Sequence, residues 1–421
     1  MRRFEPRFDA SRREQDSITV ARKLVAMEFR HETIDPAPPG ESNVVCLPTD
    51  LTGTGRDDVI IGAKGGEPNL YWYENLDDGW ERHDMATTPG LEAGGVLGDV
   101  TGNGRLDVIA GQKWDLHEAY WFEQPADPRG PWETHLITDE YQKYHDQGFG
   151  DVDGDGEPEV VLISQKPGVL LYYDVPEDPT VEPWPTENRH VVSDDVWDVE
   201  GIRILDVDGD GENEIVAGRN IFHRRDGSEA QPGEGAGPDD WERERIAPDW
   251  EDERVRVEVA DLDGDGAYEV VVSECELPYF GPRRDIHHDA RVAVCEPPDW
   301  EARVLKDGMF CPHSLQVADF DGDGTLRVPA IDGSGIPEVV DSGGNAEQFL
   351  QSSNNTDKKP VAGVDWAGDA ALEIVHLQGG EVAYTTATGE THKITDADGA
   401  TMTAVQSAGV AGVASYPSSL S

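Results

Sequence analysis

Positive charge is scarce in this sequence, and lysine above all. Among 421 residues, 34 are Lys or Arg and 86 are Asp or Glu, which gives a formal net charge of −52 at pH 7. Only nine residues are lysine, and no basic stripe interrupts the acidic background. A surface of this charge repels phosphate backbones and anionic lipid head groups, so we expect neither nucleic-acid nor membrane-surface binding. Acid-rich, lysine-poor composition also predicts solubility in concentrated salt, and hence a halophilic source.

Long apolar runs and cysteine pairs are also missing. No stretch approaches the roughly 18 apolar residues of a membrane span, and residues 1–16 lack the apolar core of a secretion signal. We therefore expect no membrane insertion and a cytoplasmic location, with an extracellular one as the alternative. The four cysteines show no CxxC spacing, so free buried thiols are expected.

A repeat of about 50 residues organises almost the whole chain. Each copy has a short apolar run, an aspartate with a Gly-rich turn, a second apolar run such as DVIIG, a third such as LYWYE and a fourth such as WERHDM. Four short strands of this kind, separated by Gly, Pro and Asp turns, are typical of a propeller blade. The first aspartates of the seven copies are Asp50, Asp99, Asp151, Asp206, Asp261, Asp319 and Asp365.

The repeat therefore predicts an all-β fold, a β-propeller of four-stranded blades. Seven turn signatures favour seven blades. Eight is the alternative, because FRHETI from Phe29 and residues 401–416 supply additional strands. We expect an N-terminal extension over 1–27, the propeller over 28–416 and a tail over 417–421, with a monomeric state. The units after Arg327 are shorter and less acidic, and we place them in the same domain.

The acidic turns have the composition of a calcium site. In DVDGDGEPE, four carboxylates and one backbone carbonyl can converge on a hard cation, while two glycines permit the tight turn. Leu162 stands where an EF-hand would need its last glutamate, so these are not EF-hands. The turns resemble the FG-GAP or VCBS repeats of integrin-type propellers, over residues 28–416.

That resemblance implies structural calcium in loops between the first and second strands of a blade. Three loops match in full, with one backbone carbonyl each from Glu157, Glu212 and Ala267, and a fourth has Arg327 in place of its last carboxylate. The loops at Asp50, Asp99 and Asp365 substitute Thr, Asn or Ala and are expected to be weak or empty. The side-chain ligands are Asp151, Asp153, Asp155 and Glu159; Asp206, Asp208, Asp210 and Glu214; Asp261, Asp263, Asp265 and Glu269; and Asp319, Asp321 and Asp323.

Function is expected on the opposite face, where first strands begin and second strands end. Residues in this register include a candidate catalytic set: His145, Glu200, His313, Lys113 and Lys166. A candidate ligand-binding set comprises Lys64, Arg219, Arg254, Arg256, His287 and His288. Cations could hold carboxylates, and Trp114, Tyr279 or Phe280 could stack on sugar faces.

Two functions are compatible with such a face. The first is a non-catalytic module that binds a glycan or a protein, the role that resemblance to integrin-like repeats implies. The second is a carbohydrate lyase or dehydratase, since calcium-loop propellers also resemble rhamnogalacturonan lyases and the propeller part of aldos-2-ulose dehydratase. In the second case His145 or His313 is the base and Lys113 or Lys166 the stabiliser of an enolate, and a divalent ion held by His145, Glu200 and His313 is conceivable.

Overall fold

The structure, a computed structural model, describes most of the chain up to Met309 and mainly strands after it. The described residues are 34–35, 37–225, 237–275, 288–309, 312, 314–318, 326–331, 337–341, 346–348, 360–364, 373–378, 381–385, 391–396, 400–407 and 410–417.

Five antiparallel four-stranded sheets follow one another along the chain, and in each the strands lie in sequence order. Blade 1 contains β1 (Gly40–Thr49), β2 (Asp58–Gly66), β3 (Leu70–Leu76) and β4 (Gly79–Ala86). Blade 2 contains β5 (Val96–Gly98), β6 (Asp107–Gly111), β7 (Ala119–Glu123) and β8 (Glu133–Thr138). Blade 3 contains β9 (Tyr144–Gly150), β10 (Glu159–Ser164), β11 (Val169–Asp174) and β12 (Arg189–Ser193).

Blades 4 and 5 have the same order. Blade 4 contains β13 (Ile202–Leu205), β14 (Glu214–Ala217), β15 (Asn220–Arg224) and β16 (Trp241–Arg245). Blade 5 contains β17 (Val255–Ala260), β18 (Glu269–Glu274), β19 (Ala290–Cys295) and β20 (Ala302–Met309). Two short 3₁₀ turns, Thr186–Asn188 and Pro238–Asp240, precede the fourth strands of blades 3 and 4. A helix that could span a membrane does not occur in the described part of the chain.

The predicted β-propeller of four-stranded blades is confirmed. The predicted number of blades is not, because the structure shows five complete blades instead of seven or eight. Two further four-stranded sheets and a two-stranded one follow, while the turns at Asp319 and Asp365 lie outside the described residues. These strands are β21 (Ser314–Leu315), β22 (Arg327–Ile331), β23 (Pro337–Asp341), β24 (Ala346–Gln348), β25 (Pro360–Val364), β26 (Glu373–Gln378), β27 (Glu381–Thr385), β28 (Thr391–Asp396), β29 (Ala400–Ser407) and β30 (Val410–Pro417).

The hydrophobic core is divided into layers between neighbouring blades. Trp72 of blade 1 and Phe122 of blade 2 belong to one buried cluster, and Trp121 of blade 2 and Leu171 of blade 3 belong to the next. Adjacent residues on β7 thus face different neighbours, because strand side chains alternate. Full burial of each large apolar side chain stabilises the fold by roughly 1.5–3 kcal/mol. Cys46, Cys275 and Cys295 are buried thiols that form no disulfide, as expected, and Cys311 lies outside the described residues.

Two faces of the propeller carry the polar segments. The eight-residue aspartate loops join the first and second strands of the five blades, over 50–57, 99–106, 151–158, 206–213 and 261–268. The first strands of successive blades lie side by side from β5 to β21. Their starting ends, and the far ends of the second strands, therefore meet at the opposite face around the centre. We call this opposite face the channel mouth.

Candidate functional site

Three lysines and one exposed tryptophan meet at the channel mouth, between blades 1, 2 and 3. The Lys64 ammonium lies 2.5 Å from the Glu92 carboxylate, and both side chains are buried. Lys113 donates a hydrogen bond to the backbone carbonyl of Lys64. The ammonium groups of Lys64 and Lys143 each lie 5.2 Å from the ring centroid of Trp114. We call Lys64, Lys113, Lys143, Glu92 and Trp114 the lysine cluster.

Trp114 occupies the β6–β7 connection with a positive φ of 48°. A non-glycine residue seldom adopts this conformation. The exposed fraction of Trp114 is 44%, and the second exposed tryptophan among the described residues, Trp197 at 56%, precedes β13 on the same face. Exposed indoles of this kind offer large flat surfaces for ligand contact.

The charges of the lysine cluster do not cancel. Burial alone would raise the pKa of the Glu92 carboxyl, but the charges of Lys64, His145 and Lys143 together outweigh burial and lower the pKa from 4.5 to about 2. Burial and the neighbouring charge of Lys64 lower the pKa of the Lys113 ammonium. Three ammonium groups against the two carboxylates that act on Lys113, Glu92 and Glu41, leave a local positive excess in a protein whose net charge is −52. An anion entering here would relieve repulsion between the lysines.

Next to the lysine cluster lies a buried ionic network contributed by blades 3, 4 and 5. His145 Nδ1 lies 2.5 Å from Asp146 Oδ2, and His145 Nε2 lies 3.7 Å from Glu200 Oε1. Arg256 joins the two carboxylates, at 3.2 Å from Asp146 Oδ1 and 3.3 Å from Glu200 Oε2. We call His145, Asp146, Glu200 and Arg256 the channel network.

Two further contacts connect the channel network to its surroundings. Gln165 donates to Glu200 Oε1 over 3.2 Å, and Lys143 donates to Gln165. The Cys275 thiol lies 3.4 Å from Glu200 Oε2. Burial alone would raise the pKa values of Asp146 and Glu200, but the neighbouring charges of His145 and Arg256 lower both. The two carboxylates are therefore held ionised, and the network ties three blades together.

Several residues of the predicted sites are brought together, and others are not. His145, Glu200 and Arg256 share the channel network, and Lys64 and Lys113 share the lysine cluster. Lys166 pairs with Asp115 at the rim. His288 is exposed, with Nε2 at 3.8 Å from Glu274 Oε1. His287 and His313 lie outside the described residues.

Two predicted ligand-binding arginines instead make contacts within the β16–β17 connection, Arg219 with backbone carbonyls and Arg254 with the Asp252 carboxylate. Arg219 is buried and donates to the carbonyls of Asp252 at 2.8 Å and Ala247 at 2.6 Å. Arg254 is buried against Asp252, with Nε 3.1 Å from Oδ1. Both side chains are used to fix the β16–β17 connection. Their place in the repeat register does not make them part of the lysine cluster.

Sequence reasoning missed Glu92, Lys143 and Asp146. Glu92 stands seven residues before Asp99, one position away from the register of His145 and Glu200, and Gly94 and Gly95 separate it from β5. Both glycines have positive φ. Lys143 precedes β9 and also has a positive φ, of 57°. Asp146 is adjacent to His145, and the His–Asp dipeptide was the one sequence feature that could have indicated Asp146 as a member of the site.

The aspartate loops share one hydrogen-bond pattern. In blade 3, Asp151 accepts from the N–H groups of Gly154 at 2.7 Å and Gly156 at 3.0 Å. Glu159, the first residue of β10, accepts from the N–H of Val152 at 2.7 Å. The same bonds occur in the loops of blades 4 and 5.

Ligand atoms of Asp151, Asp153 and Glu159 lie within 4.8 Å of one another. Burial first, and then the three nearby aspartates, raise the pKa of Glu159 to about 9. Carboxylates packed this closely repel one another, and oxygen ligands are what Ca²⁺ prefers. The residues of the loop therefore fit a hard divalent cation. In the loops of blades 1 and 2, Asp58 and Asp107 take the place of Glu159 and accept from Leu51 and Val100, each at 3.0 Å.

Comparison with known proteins identifies the fold but no family. No protein-family model matches the chain, and no curated protein matches its sequence. A structure of BBS1N in complex with ARL6DN has a TM-score of 0.52 and 12% identity, covering 85% of this chain and 96% of that chain. At this identity the similarity shows the fold alone, so the relation to FG-GAP or VCBS repeats stays a prediction.

Two carbohydrate-related structures are also similar to this chain. A lectin of Agrocybe aegerita that recognises non-reducing terminal N-acetylglucosamine has a TM-score of 0.46 and 16% identity, covering 87% of this chain and 92% of that chain. Rhamnogalacturonan lyase YesW has a TM-score of 0.44 and 14% identity, covering 87% of this chain and 77% of that chain. Neither similarity bears on the chemistry of the channel mouth.

Proposed function

We propose that this protein is a glycan-binding β-propeller that recognises a carboxylated sugar at the lysine cluster. The observation that carries the proposal is an exposed Trp114 indole with two lysine ammonium groups 5.2 Å from its ring. A uronic acid offers a flat C–H face for an indole and a carboxylate for an ammonium group, so one residue of such a glycan can use both. Trp197 on the same face offers a contact for a neighbouring sugar.

The geometry favours binding over catalysis. A general base must reach the proton that it removes, over about 2.6–3.2 Å. His145 is 2% exposed, and both of its ring nitrogens face carboxylates. Glu200 and Asp146 are likewise occupied by Arg256. The channel network therefore has the character of a support for the mouth, and a lyase or dehydratase function has no free base among its members.

We further propose that the aspartate loops bind calcium, and that this ion stabilises the propeller. The convergence of Asp151, Asp153 and Glu159 supports the proposal, as does the repetition of the same hydrogen bonds in blades 4 and 5. The ion would fix the turns at the face opposite the ligand. It has no part in the recognition of the sugar.

The proposal can be tested with a matched pair of ligands. We expect an oligogalacturonide to bind and its fully methyl-esterified form, which lacks the carboxylates, to bind at least about tenfold more weakly, since one charge-assisted hydrogen bond contributes about 1.5–3 kcal/mol. Isothermal titration calorimetry measures both. Lys143→Met should reduce the difference between the two ligands, while Lys306→Met, on β20 far along the chain, should not. Equal binding of the two ligands by the unaltered protein would contradict the proposal.

A further inference from the structure

The two outer strands of blade 2 place one histidine and two glutamates on the same face. In the register of β7 and β8, Trp121 lies opposite His135 and Glu123 lies opposite Glu133. The two pairs are two residues apart, so their side chains project to the same side of the sheet. Like charges directly opposite each other destabilise a strand pair. A cation bound between Glu123 and Glu133 would remove this repulsion.

His135 is held firmly and points at these glutamates. Its ring stacks on Trp121, with centroids 4.3 Å apart and an interplanar angle of 21°. Its exposed fraction is 8%. His135 Nε2 lies 3.6 Å from Glu123 Oε2 and 4.0 Å from Glu133 Oε2. Both distances exceed those of a hydrogen bond, and this buried nitrogen has no hydrogen-bond partner among the described residues.

The other ring nitrogen fixes the orientation of the first. His135 Nδ1 lies 3.1 Å from Glu182 Oε1, on the connection that leads to β12 of blade 3. An ionised carboxylate only accepts, so Nδ1 is the donor in this contact, and in that tautomer the Nε2 lone pair is directed toward the two carboxylates. Metal-ligating histidines commonly donate their second N–H to a carboxylate in this way.

The separations suit a shared ion. Two donors about 2.1 Å from a tetrahedral ion stand about 3.4 Å apart, which is close to the 3.6 Å between His135 Nε2 and Glu123 Oε2. One oxygen of each of Glu123 and Glu133 and one nitrogen of His135 lie within 4.8 Å of one another. Arg105 Nη2 lies 4.0 Å from the other carboxylate oxygen of Glu123, Oε1.

Equivalent histidines in the neighbouring blades are satisfied without an ion. His83 Nε2 lies 3.0 Å from Glu74 in blade 1, and His190 Nε2 lies 3.0 Å from Asp174 in blade 3. Glu74, Glu81 and His83 also lie close together. There, however, Arg129 already binds Glu74, with Nε at 2.9 Å. Blade 2 differs because its histidine is separated from the carboxylates and lacks a hydrogen bond on Nε2.

We propose that His135 Nε2, Glu123 and Glu133 bind a zinc ion, with Glu182 as the positioning residue for His135. A mixed nitrogen and oxygen donor set suits zinc, whereas the oxygen-only aspartate loops suit calcium. Three protein donors leave room for water on the solvent side, where Glu133 is exposed. The ion would neutralise the Glu123–Glu133 pair and join the Glu182 connection of blade 3 to the outer strand of blade 2. This site is independent of the sugar-binding proposal.

The test uses the full chain, with zinc added while calcium is in millimolar excess, so that oxygen-only sites are saturated. Calorimetry should show a zinc ion whose binding depends on His135, and zinc X-ray absorption should show imidazole nitrogen in its shell. His135→Ala should weaken zinc binding at least about 100-fold and Glu182→Gln at least about tenfold. His83→Ala, the matched control in blade 1, should leave zinc binding unchanged.

Substitution of the exposed Glu133 distinguishes a loss of zinc binding from a loss of folding. Glu133 is 77% exposed at its side chain, so Glu133→Gln should fold normally, with an unaltered circular dichroism spectrum, and should lose zinc affinity. The proposal is overturned if the unaltered protein binds no zinc in excess calcium, or if Glu133→Gln binds zinc as well as the unaltered protein. It is also overturned if His83→Ala reduces zinc binding as much as His135→Ala.

Discussion

At the residue scale, the charge states at the channel mouth follow from burial opposed by neighbouring charge. Glu92 is buried, yet Lys64 at 2.5 Å keeps it ionised. Lys113 shows the reverse, because burial and a neighbouring ammonium group both disfavour its charge. A ligand carboxylate would restore the balance at Lys113, and this gives the site a pH dependence of predictable sign.

Glu92 should make the protein sensitive to acid. Its pKa is lowered from 4.5 to about 2, so its contribution to stability is present above 4.5 and is lost as pH falls through 2. We expect Glu92→Gln to lower the free energy of unfolding at pH 7 by about 3–5 kcal/mol, since it leaves Lys64 buried without this partner. The deficit should shrink toward pH 2. Urea unfolding across this range measures it, with the exposed Glu301→Gln as control. A deficit that does not change with pH would contradict the assignment.

Lys113 should make sugar binding weaken in alkali. Because its pKa lies below 10.5 in the free protein and an anion raises it, binding takes up protons as pH approaches the lowered value, and affinity falls above it. Calorimetry of oligogalacturonide binding from neutral pH upward, in buffers of different ionisation enthalpy, reports this proton uptake. Lys113→Arg stays charged and should remove the pH dependence. An unaltered profile in Lys113→Arg would show that another group titrates.

At the element scale, the strand–loop–strand unit explains why the structure of the face with the aspartate loops can be predicted from the sequence. The eight-residue loop, with its first aspartate accepting two backbone N–H groups, is encoded by consecutive residues, and blades 1 to 5 all have it. Asp58 and Asp107 show that even the loops with substituted ligands retain a carboxylate at the start of the second strand. Local sequence is sufficient for such a turn.

The opposite face is harder to predict, because its contacts join different blades. Arg256 of blade 5 meets Asp146 of blade 3, and Lys143 of blade 3 meets Trp114 of blade 2. Register in the repeat placed His145 and Glu200 correctly near each other. It could not foresee that Arg219 would turn toward the carbonyl of Ala247, nor that the acidic residue of blade 2, Glu92, would stand one position outside the register.

Calcium should stabilise the blades whose loops have a full set of carboxylates. At 100-fold excess over its dissociation constant, one bound ion raises the free energy of unfolding by about 2.7 kcal/mol. We expect Asp155→Asn, in the blade 3 loop, to reduce the calcium-dependent rise in melting temperature, measured by differential scanning calorimetry. Thr54→Ala, in the blade 1 loop, should not. A melting temperature independent of calcium would contradict the calcium proposal.

At the scale of the whole molecule, the net charge of −52 opposes the compact state. Added salt screens repulsion between exposed carboxylates, as the Debye length falls from about 10 Å at 0.1 M to about 3 Å at 1 M. We expect the melting temperature to rise as NaCl increases over this range, with calcium held constant. A melting temperature that falls with salt would contradict a halophilic character, which rests on composition alone.

The proposed function depends on a carboxylated glycan binding at Trp114, on the face opposite the aspartate loops. The most direct test is calorimetric titration of an oligogalacturonide into the unaltered protein, Trp114→Ala and Tyr268→Ala, the last being an exposed aromatic residue on an aspartate loop. We expect Trp114→Ala to weaken binding by about tenfold or more, and Tyr268→Ala to bind like the unaltered protein. Equal affinities for all three proteins would contradict it.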